Sequence, residues 1–279
     1  MIVLRRFRIR GFHLFLSCLL MFLLVVLYSR FIEPTWLAVT HVTVQLPHLP
    51  RAFDGMTVVQ LSDIHYPDYL SRDYYRRVVE KANALHPDLI VLTGDYVPHE
   101  MNAIATCGQL LGGLHAPFGV YAVLGNHDYW LKPAMITKAL RDNGIKVLIN
   151  QSVPLRRSNA CCWLVGVDDE WSGAPDLRKA LHGVPENDEK ILLVHEPDFA
   201  DYARTFPFDL QLSGHSHGGQ VRFPFIGGVH YPPFAERYPS GYYHVGSLQL
   251  YTNRGVGVIL PFRLDCRPEI TRLTLHSAQ

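Results

Sequence analysis

The sequence predicts a layered α/β domain, with mixed strands in β-sheets flanked by helices, behind an N-terminal transmembrane helix. Three observations predict it. An unbroken apolar stretch opens the chain. Short β-branched runs then alternate with segments of helical periodicity, and the final part turns to period-two alternation.

The opening run Phe12 to Tyr28 is just long enough, with its flanks, to span a hydrocarbon core as a helix. Arg5, Arg6, Arg8 and Arg10 precede it, and no small-residue cleavage site follows, so an uncleaved anchor is expected rather than a secretory signal. The positive-inside rule puts these arginines in the cytoplasm and the body of the protein on the other side, with Arg30 opposing that assignment. Residues 1–30 contain no acid; the remainder carries 21 basic against 25 acidic residues, which argues against nucleic acid as the main partner. The five cysteines lack any C-x-x-C spacing, so neither a zinc finger nor a disulfide framework is expected.

"AVTHVTVQLP" reads as an edge strand. "MTVVQLSD" is a buried strand, and "SRDYYRRVVEKANALHP" a helix capped by Ser71 and stopped by Pro87. "DLIVLTGD", "GVYAVLGNHD" and "IKVLIN" are strands, separated by helices in "MNAIATCGQLLGGL" and "PAMITKALRDNG". "CCWLVGVDD", "KILLVHE" and "FDLQLSGH" are further strands, with helices at 176–182 and 198–205 between them. "GYYHVGSLQLYTNRGVG" and "EITRLTLHS" alternate as antiparallel strands do. The expected organisation is a basic N-terminus and anchor at 1–30, a linker and edge strand at 31–55, and a catalytic domain at 56–279.

The chemistry sits where strands end. Asp63 and His65 follow the first buried strand and Asp95 the second. Asn126, His127 and Asp128 follow the third. His195 follows "ILLV", and His215 and His217 follow "DLQLSG". Carboxyl ends of strands in α/β sheets form the ligand crevice, so these distant residues are expected to meet in one cleft. Imidazole with carboxylate and amide oxygen suits Mn, Fe, Zn or Co better than Ca or Mg. His127 is set aside as an acid–base group and Asp128 as a helix cap. The seven ligands left fit two ions sharing one carboxylate, the arrangement that stabilises attack on phosphorus. His215 and His217, at i and i+2, are expected to project to one side of an extended segment, with small neighbours admitting close approach of the backbone.

The ordered blocks D-x-H, G-D, G-N-H-D, a lone H and G-H-x-H, over roughly 56–220, resemble the calcineurin-like metallophosphoesterase superfamily. The anchor, "GHSHGGQVRFPFIG" and "NRGVGVILPFRLDCRPEITRLTL" are similar to its bacterial membrane-anchored branch. Some members of that branch are phosphodiesterases and others UDP-2,3-diacylglucosamine pyrophosphate hydrolases of lipid A synthesis. The resemblance implies a layered metallophosphoesterase sandwich in the inner membrane. It places Asp63, His65 and His217 on one divalent ion and Asn126, His195 and His215 on the other, with Asp95 bridging. His127 would protonate the leaving oxygen or steady the phosphoryl charge. A hydroxide held between the ions would attack a phosphodiester or pyrophosphate. The substrate is left open: UDP-2,3-diacylglucosamine or another lipid-linked ester. A non-catalytic, metal-binding scaffold of the same fold is the alternative.

Two positions depart from the family pattern. Pro67, preceded by Tyr66, stands where Gly is common, and Tyr96, Val97 and Pro98 follow G-D in place of a further acid. Both departures are expected to reshape the substrate pocket. Asp198, like Asp128, is expected to cap a helix, and Glu196 to stand behind the ligands. The other ten histidines show no strand-end pattern. "VRFPFIGGVHYPPF" is a loop, either packed on the sheet or forming an apolar wall toward lipid.

Overall fold

The computed structural model describes residues 2–278, with side chains from residue 11 onward, so the side chains of Arg5, Arg6, Arg8 and Arg10 lie outside the described set. In chain order the elements are α1 (Ile2–Leu27), β1 (Ala38–Leu46), β2 (Met56–Leu61), α2 (Arg72–Asn83), β3 (Leu89–Thr93), α3 (Ala103–Leu111), β4 (Val120–Val123), α4 (Asn126–Leu131), α5 (Pro133–Asp142) and β5 (Lys146–Val147). They continue with β6 (Gln151–Arg157), β7 (Ala160–Gly166), α6 (Leu177–Ala180), β8 (Lys190–Leu193), α7 (Ala200–Ala203), β9 (Leu210–Ser213), β10 (Arg222–Phe223), β11 (Gly227–Gly228), β12 (Gly241–Val245), β13 (Leu248–Thr252) and β14 (Glu269–Ser277).

Two six-stranded sheets form the body, one in the order β1-β14-β2-β3-β4-β5 and the other β12-β13-β9-β8-β7-β6. Strands β2 to β5 are parallel, as are β7, β8, β9 and β13. Alternation along the strands builds the layers. Val59 and Leu61 of β2, with Ile90 and Leu92 of β3, face α2, α3 and α5. Val58, Leu89 and Val91 face inward and meet Leu164, Ile191 and Leu210 of the second sheet. On the outer face of that sheet, Val165 and Leu192 pack under Leu177 and Ala200. Each central strand is covered on both sides, which is why it reads as an unbroken apolar run.

Local signals explain the larger helices. Ser71 Oγ accepts the Tyr74 amide at 3.2 Å to start α2, and Pro133 opens α5. Other expectations change. Strand β5 is two residues long, and α6 and α7 are single turns, α7 following a 3₁₀ turn at Pro197–Phe199. Strand β14 is antiparallel to β2, as its alternation suggests, but it also runs parallel to the edge strand β1 and so lies inside the first sheet. All five cysteines are free thiols.

The Gly11–Thr35 segment is helical, and long and apolar enough to cross a membrane. It is fastened to the body. The Arg263 amide donates to Ser29 O at 2.9 Å, and the buried Glu33 carboxylate accepts the amides of Asp265 and Cys266 at 3.1 and 2.6 Å.

The shared inter-sheet core predicts the cost of opening it. Leu164→Ala, in the middle of that layer, should lower the unfolding free energy by about 2–5 kcal/mol in a denaturant titration. A loss below about 1 kcal/mol would mean that the sheets do not share one core.

Candidate metal centre

Both sheets deliver side chains to one cleft. Asp63 and His65 follow β2, Asp95 follows β3 and Asn126 opens α4 after β4. His195 follows β8, and His215 and His217 follow β9. All seven are at most 3% exposed. The cleft is thus formed by the strand ends of two sheets, and its residues come from positions up to 154 apart in the chain only because those ends face each other.

The backbone here is unusual. Asp63, His65, Asp95, His215 and His217 all have positive φ, between 48° and 68°. That left-handed region disfavours side chains with a Cβ, and it survives only where surroundings over-determine it. Here they do. The amides of Asp63 and His65 donate to the carbonyls of Gly94 and Asp95, both at 3.0 Å. The Asp128 carboxylate accepts the amides of Asp95, Tyr96 and Gly125 at 3.0, 2.8 and 2.9 Å. The positive φ values at His215 and His217 replace the extended segment expected there with a tight turn. Glycine is required beside it: a Cβ on Gly214 would overlap Ser62 Oγ and press on Asp63 Oδ2. The small neighbours therefore let the end of β9 approach the end of β2.

The donor atoms fall into groups. Asp63, His65 and His217 form one, Asp95, His195 and His215 another, and His65, Asp95 and His127 a third, each with its ligand atoms within 4.8 Å of one another. Asp95 Oδ2 lies 3.5 Å from His65 Nε2 and 3.2 Å from His195 Nε2, so its carboxylate joins the two sides. His65 Nε2 and His217 Nε2 are 3.0 Å apart, and His215 Nδ1 lies 3.1 Å from His195 Nε2. The other ring nitrogens are partly committed. His195 Nδ1 donates to Thr93 O at 2.6 Å and His215 Nε2 to Pro233 O at 2.9 Å. This turns His215 Nδ1 into an acceptor facing the cleft. His195, despite burial, is raised well above its usual range by Asp95, and keeps a proton on Nε2 until an ion displaces it. Buried polar atoms are left without protein partners: Asn126 Oδ1 and the Nδ1 atoms of His65, His127 and His217.

Charge follows burial. Desolvation pushes Asp63 up to about 7, Asp95 adding to the effect. It pulls His65 and His215 down to about 3 and His217 well below its usual range. Those three imidazoles are neutral near pH 7, as a ligand must be. Asp95 stays well below the carboxylate range despite burial, because His195 and His127 stand beside it. Crowded lone pairs, neutral imidazoles and orphaned buried acceptors are what a divalent cation would satisfy.

The comparisons with known proteins agree. Residues 56–219 match the model of the calcineurin-like phosphoesterase family. The chain belongs to that family. It is 38% identical over 255 residues to the uncharacterized metallophosphoesterase YkuE of Bacillus subtilis, covering 90% of this chain and 89% of that one. It is 32% identical to the phosphodiesterase YaeI of Escherichia coli, covering 89% and 92% of the two chains. It is 27% identical to the UDP-2,3-diacylglucosamine pyrophosphatase LpxG of Chlamydia trachomatis, covering 87% and 90%. The protein is a phosphoester hydrolase of a family that uses divalent metals, and its Asp and His clusters could bind them.

Around the centre of this phosphoesterase, several side chains differ from expectation. Tyr96 is buried and donates to Val123 O at 2.8 Å, and Tyr66 packs on Tyr75, so these two rings fill core, while Pro67 itself is half-buried. Asp198 caps no helix. Its carboxylate accepts the amides of Glu236, Arg237 and Tyr238, fixing the loop that leads into β12. Glu196 accepts the amides of Glu170 and Trp171. The chain between β9 and β12 is a loop with a hairpin of two-residue strands, β10–β11, and at its tip Phe225 is fully and Ile226 largely exposed rather than packed on the sheet.

An aromatic rim was not foreseen. Trp130 lies 4.6 Å from the His127 ring and 5.1 Å from Trp171, which faces His215 at 5.8 Å. His99 stands 6.2 Å from His127. The missed signal was α4: a helix starting at Asn126 places Trp130 one turn from His127.

Asp128 supports Asp95 through the amides of Asp95 and Tyr96, caps α4 through the Gly125 amide as expected, and lies in none of the donor groups. Asp128→Ala should weaken divalent-metal binding about 10–100-fold, read by calorimetry, with the circular dichroism spectrum retained. Unchanged metal affinity would show that those amides hold their places without it.

Proposed function

We propose that the protein is a membrane-anchored, dinuclear metal-dependent hydrolase of a lipid-linked phosphodiester or pyrophosphate. One observation carries the reading: the Asp95 carboxylate belongs to donor groups on both sides of the cleft. Two ions sharing Asp95 would use Asp63, His65 and His217 on one side and Asn126, His195 and His215 on the other. The donor set suits Mn, Fe or Zn. When bound, such ions supply Lewis-acid charge to the phosphoryl oxygens and acidify water.

The chain's own groups do the rest. His127 is held by its amide, which donates to Asp95 Oδ1 at 3.0 Å, and its ring packs between those of His65 and Trp130. Its Nδ1 has no protein partner, so the imidazole is free to pass a proton to the departing oxygen. Fully buried ligands exclude bulk water from one side, while Trp130 and Trp171 border the other.

The lipid part of the proposal rests on what lies beside His217. A cavity of about 400 Å³ opens there, walled by Val221, Val229, Pro232, Ile259 and Leu260. Exposed Phe225, Ile226, Leu260 and Phe262 continue this apolar surface outward. Leu260 and Phe262 lie within three residues of Arg263, whose amide is bonded to the end of the apolar helix. An acyl chain on this wall would bring its phosphoester to the metals. LpxG, a pyrophosphatase of the lipid UDP-2,3-diacylglucosamine, supports a lipid-linked ester, and the phosphodiesterase YaeI supports the diester class alone.

The arginine cluster favours the non-cytoplasmic face of the inner membrane. This disfavours UDP-2,3-diacylglucosamine, a cytoplasmic lipid, and favours another lipid phosphoester. A reporter active only outside the cytoplasm, fused to the C-terminus, should be active; activity of a cytoplasmic reporter instead would restore the nucleotide lipid as first choice.

Asp95→Ala and Asn126→Ala should abolish metal-dependent cleavage of a chromogenic phosphodiester. His127→Asn should lower kcat by about 10²–10⁴ while bound metal stays constant. Turnover undiminished in the His127 variant would remove it from the reaction, and undiminished turnover in the other two would end the dinuclear proposal.

A further inference from the structure

A second donor group stands at the opposite ends of the strands. Glu189 directly precedes β8, Asp209 directly precedes β9, and His48 lies in the turn after β1. One ligand atom from each falls within 4.8 Å of the other two. His48 Nδ1 is 2.6 Å from Asp209 Oδ2. The group shares no residue with the cleft described above.

Its chemistry is unbalanced. Glu189 is fully buried, and neither of its carboxylate oxygens makes a hydrogen bond of good geometry, although the Asp209 carboxyl and the His48 amide stand close enough to act on it. A second carboxylate, that of mostly buried Asp209, stands beside it. Two such groups cannot both stay ionised in a dry site without a positive charge between them. The Lys190 ammonium acts on the pair only from a distance: its charge lowers Glu189 less than burial and Asp209 raise it, and its Nζ is hydrogen-bonded to the carbonyls of Glu186 and Asp188, each at 2.6 Å. Two occupants remain, a proton or a metal ion. Burial, followed by the charge of Asp209, pushes Glu189 up to about 9, so a proton competes well when no ion is present.

His48 tips the balance. Its side chain is 54% exposed, yet its Nδ1 is directed at the carboxylate pair. One imidazole with two carboxylates is a donor set for zinc and its neighbours, and an exposed imidazole leaves an open side for water ligands. We propose that His48, Glu189 and Asp209 form a structural site for a zinc-like divalent cation. The ion ties the turn after β1, in the first sheet, to the starts of β8 and β9 in the second. The same two sheets are already joined nearby by Gln249 Nε2 of β13, which donates to Gln45 O of β1 at 2.8 Å, so the ion would reinforce an inter-sheet contact that exists.

The test uses the full chain in detergent, stripped with chelator and titrated with zinc, beside Glu189→Gln and His48→Ala. Wild type should retain one more ion per chain than either variant by elemental analysis. Its Tm should rise by about 5–10 °C more than theirs at zinc 100 times above Kd. Manganese-dependent phosphodiester cleavage should be equal in all three. The His48 variant changes an exposed side chain, so it keeps the test valid if Glu189→Gln misfolds. Equal ion counts and equal thermal responses in wild type and variants overturn the site and leave a proton between Glu189 and Asp209.

Discussion

The Asp95 carboxylate is the point on which the rest of the molecule converges. It leaves the first sheet at the end of β3, yet its nearest imidazole partner, His195, leaves the second sheet at the end of β8. The two sheets must therefore stack closely, with their strand ends level. The inter-sheet core of Val58, Val91, Leu164 and Ile191 fixes that stacking. A slip of one residue in any of these strands would turn its apolar residues from one layer to the other and carry its ligand away from the cleft.

This arrangement concentrates unfavourable features in one place. Five left-handed non-glycine residues, several buried imidazoles and two buried carboxylates of the donor groups lie within one cleft. Each alone is destabilising. They persist because continuous layers of apolar packing surround them and because Asp128, Gly94 and Gly214 leave the backbone little choice. Metal binding would then release a tension already present instead of creating the pocket.

Much of this was legible in the sequence, and the physical reason is simple. A strand covered on both faces must be an apolar run, so a polar residue at its end stands out, as Asp63, Asp95, His195 and His215 do. What was hidden depended on partners far along the chain. Strand β6 escaped notice because Pro154 interrupts it, a residue tolerated there because β6 lies at a sheet edge. Helix α4 is six residues long, too short to show a period, and with it Trp130 went unseen. Strand β14 alternates because it lies beside β1 at the sheet margin, and nothing local tells that it also pairs with β2. The role of Glu33 in receiving the amides of residues 265 and 266 could not be read from spacing at all.

That last contact reaches the chemistry in few steps. Glu33 holds the Cys266 amide, and the Cys266 thiol donates to the His217 carbonyl at 3.2 Å. The buried Arg263 guanidinium gathers the carbonyls of Arg254, Gly255 and Gly257, the loop that packs against Asp63. The apolar helix thus ends in a stiff mount instead of a tether. A catalyst on a tether samples every height above a bilayer; one on a mount meets its substrates at a single depth and tilt. For the membrane-anchored lipid phosphoesterase proposed above, substrates diffusing within the leaflet would arrive already aligned, and the search would run in two dimensions rather than three.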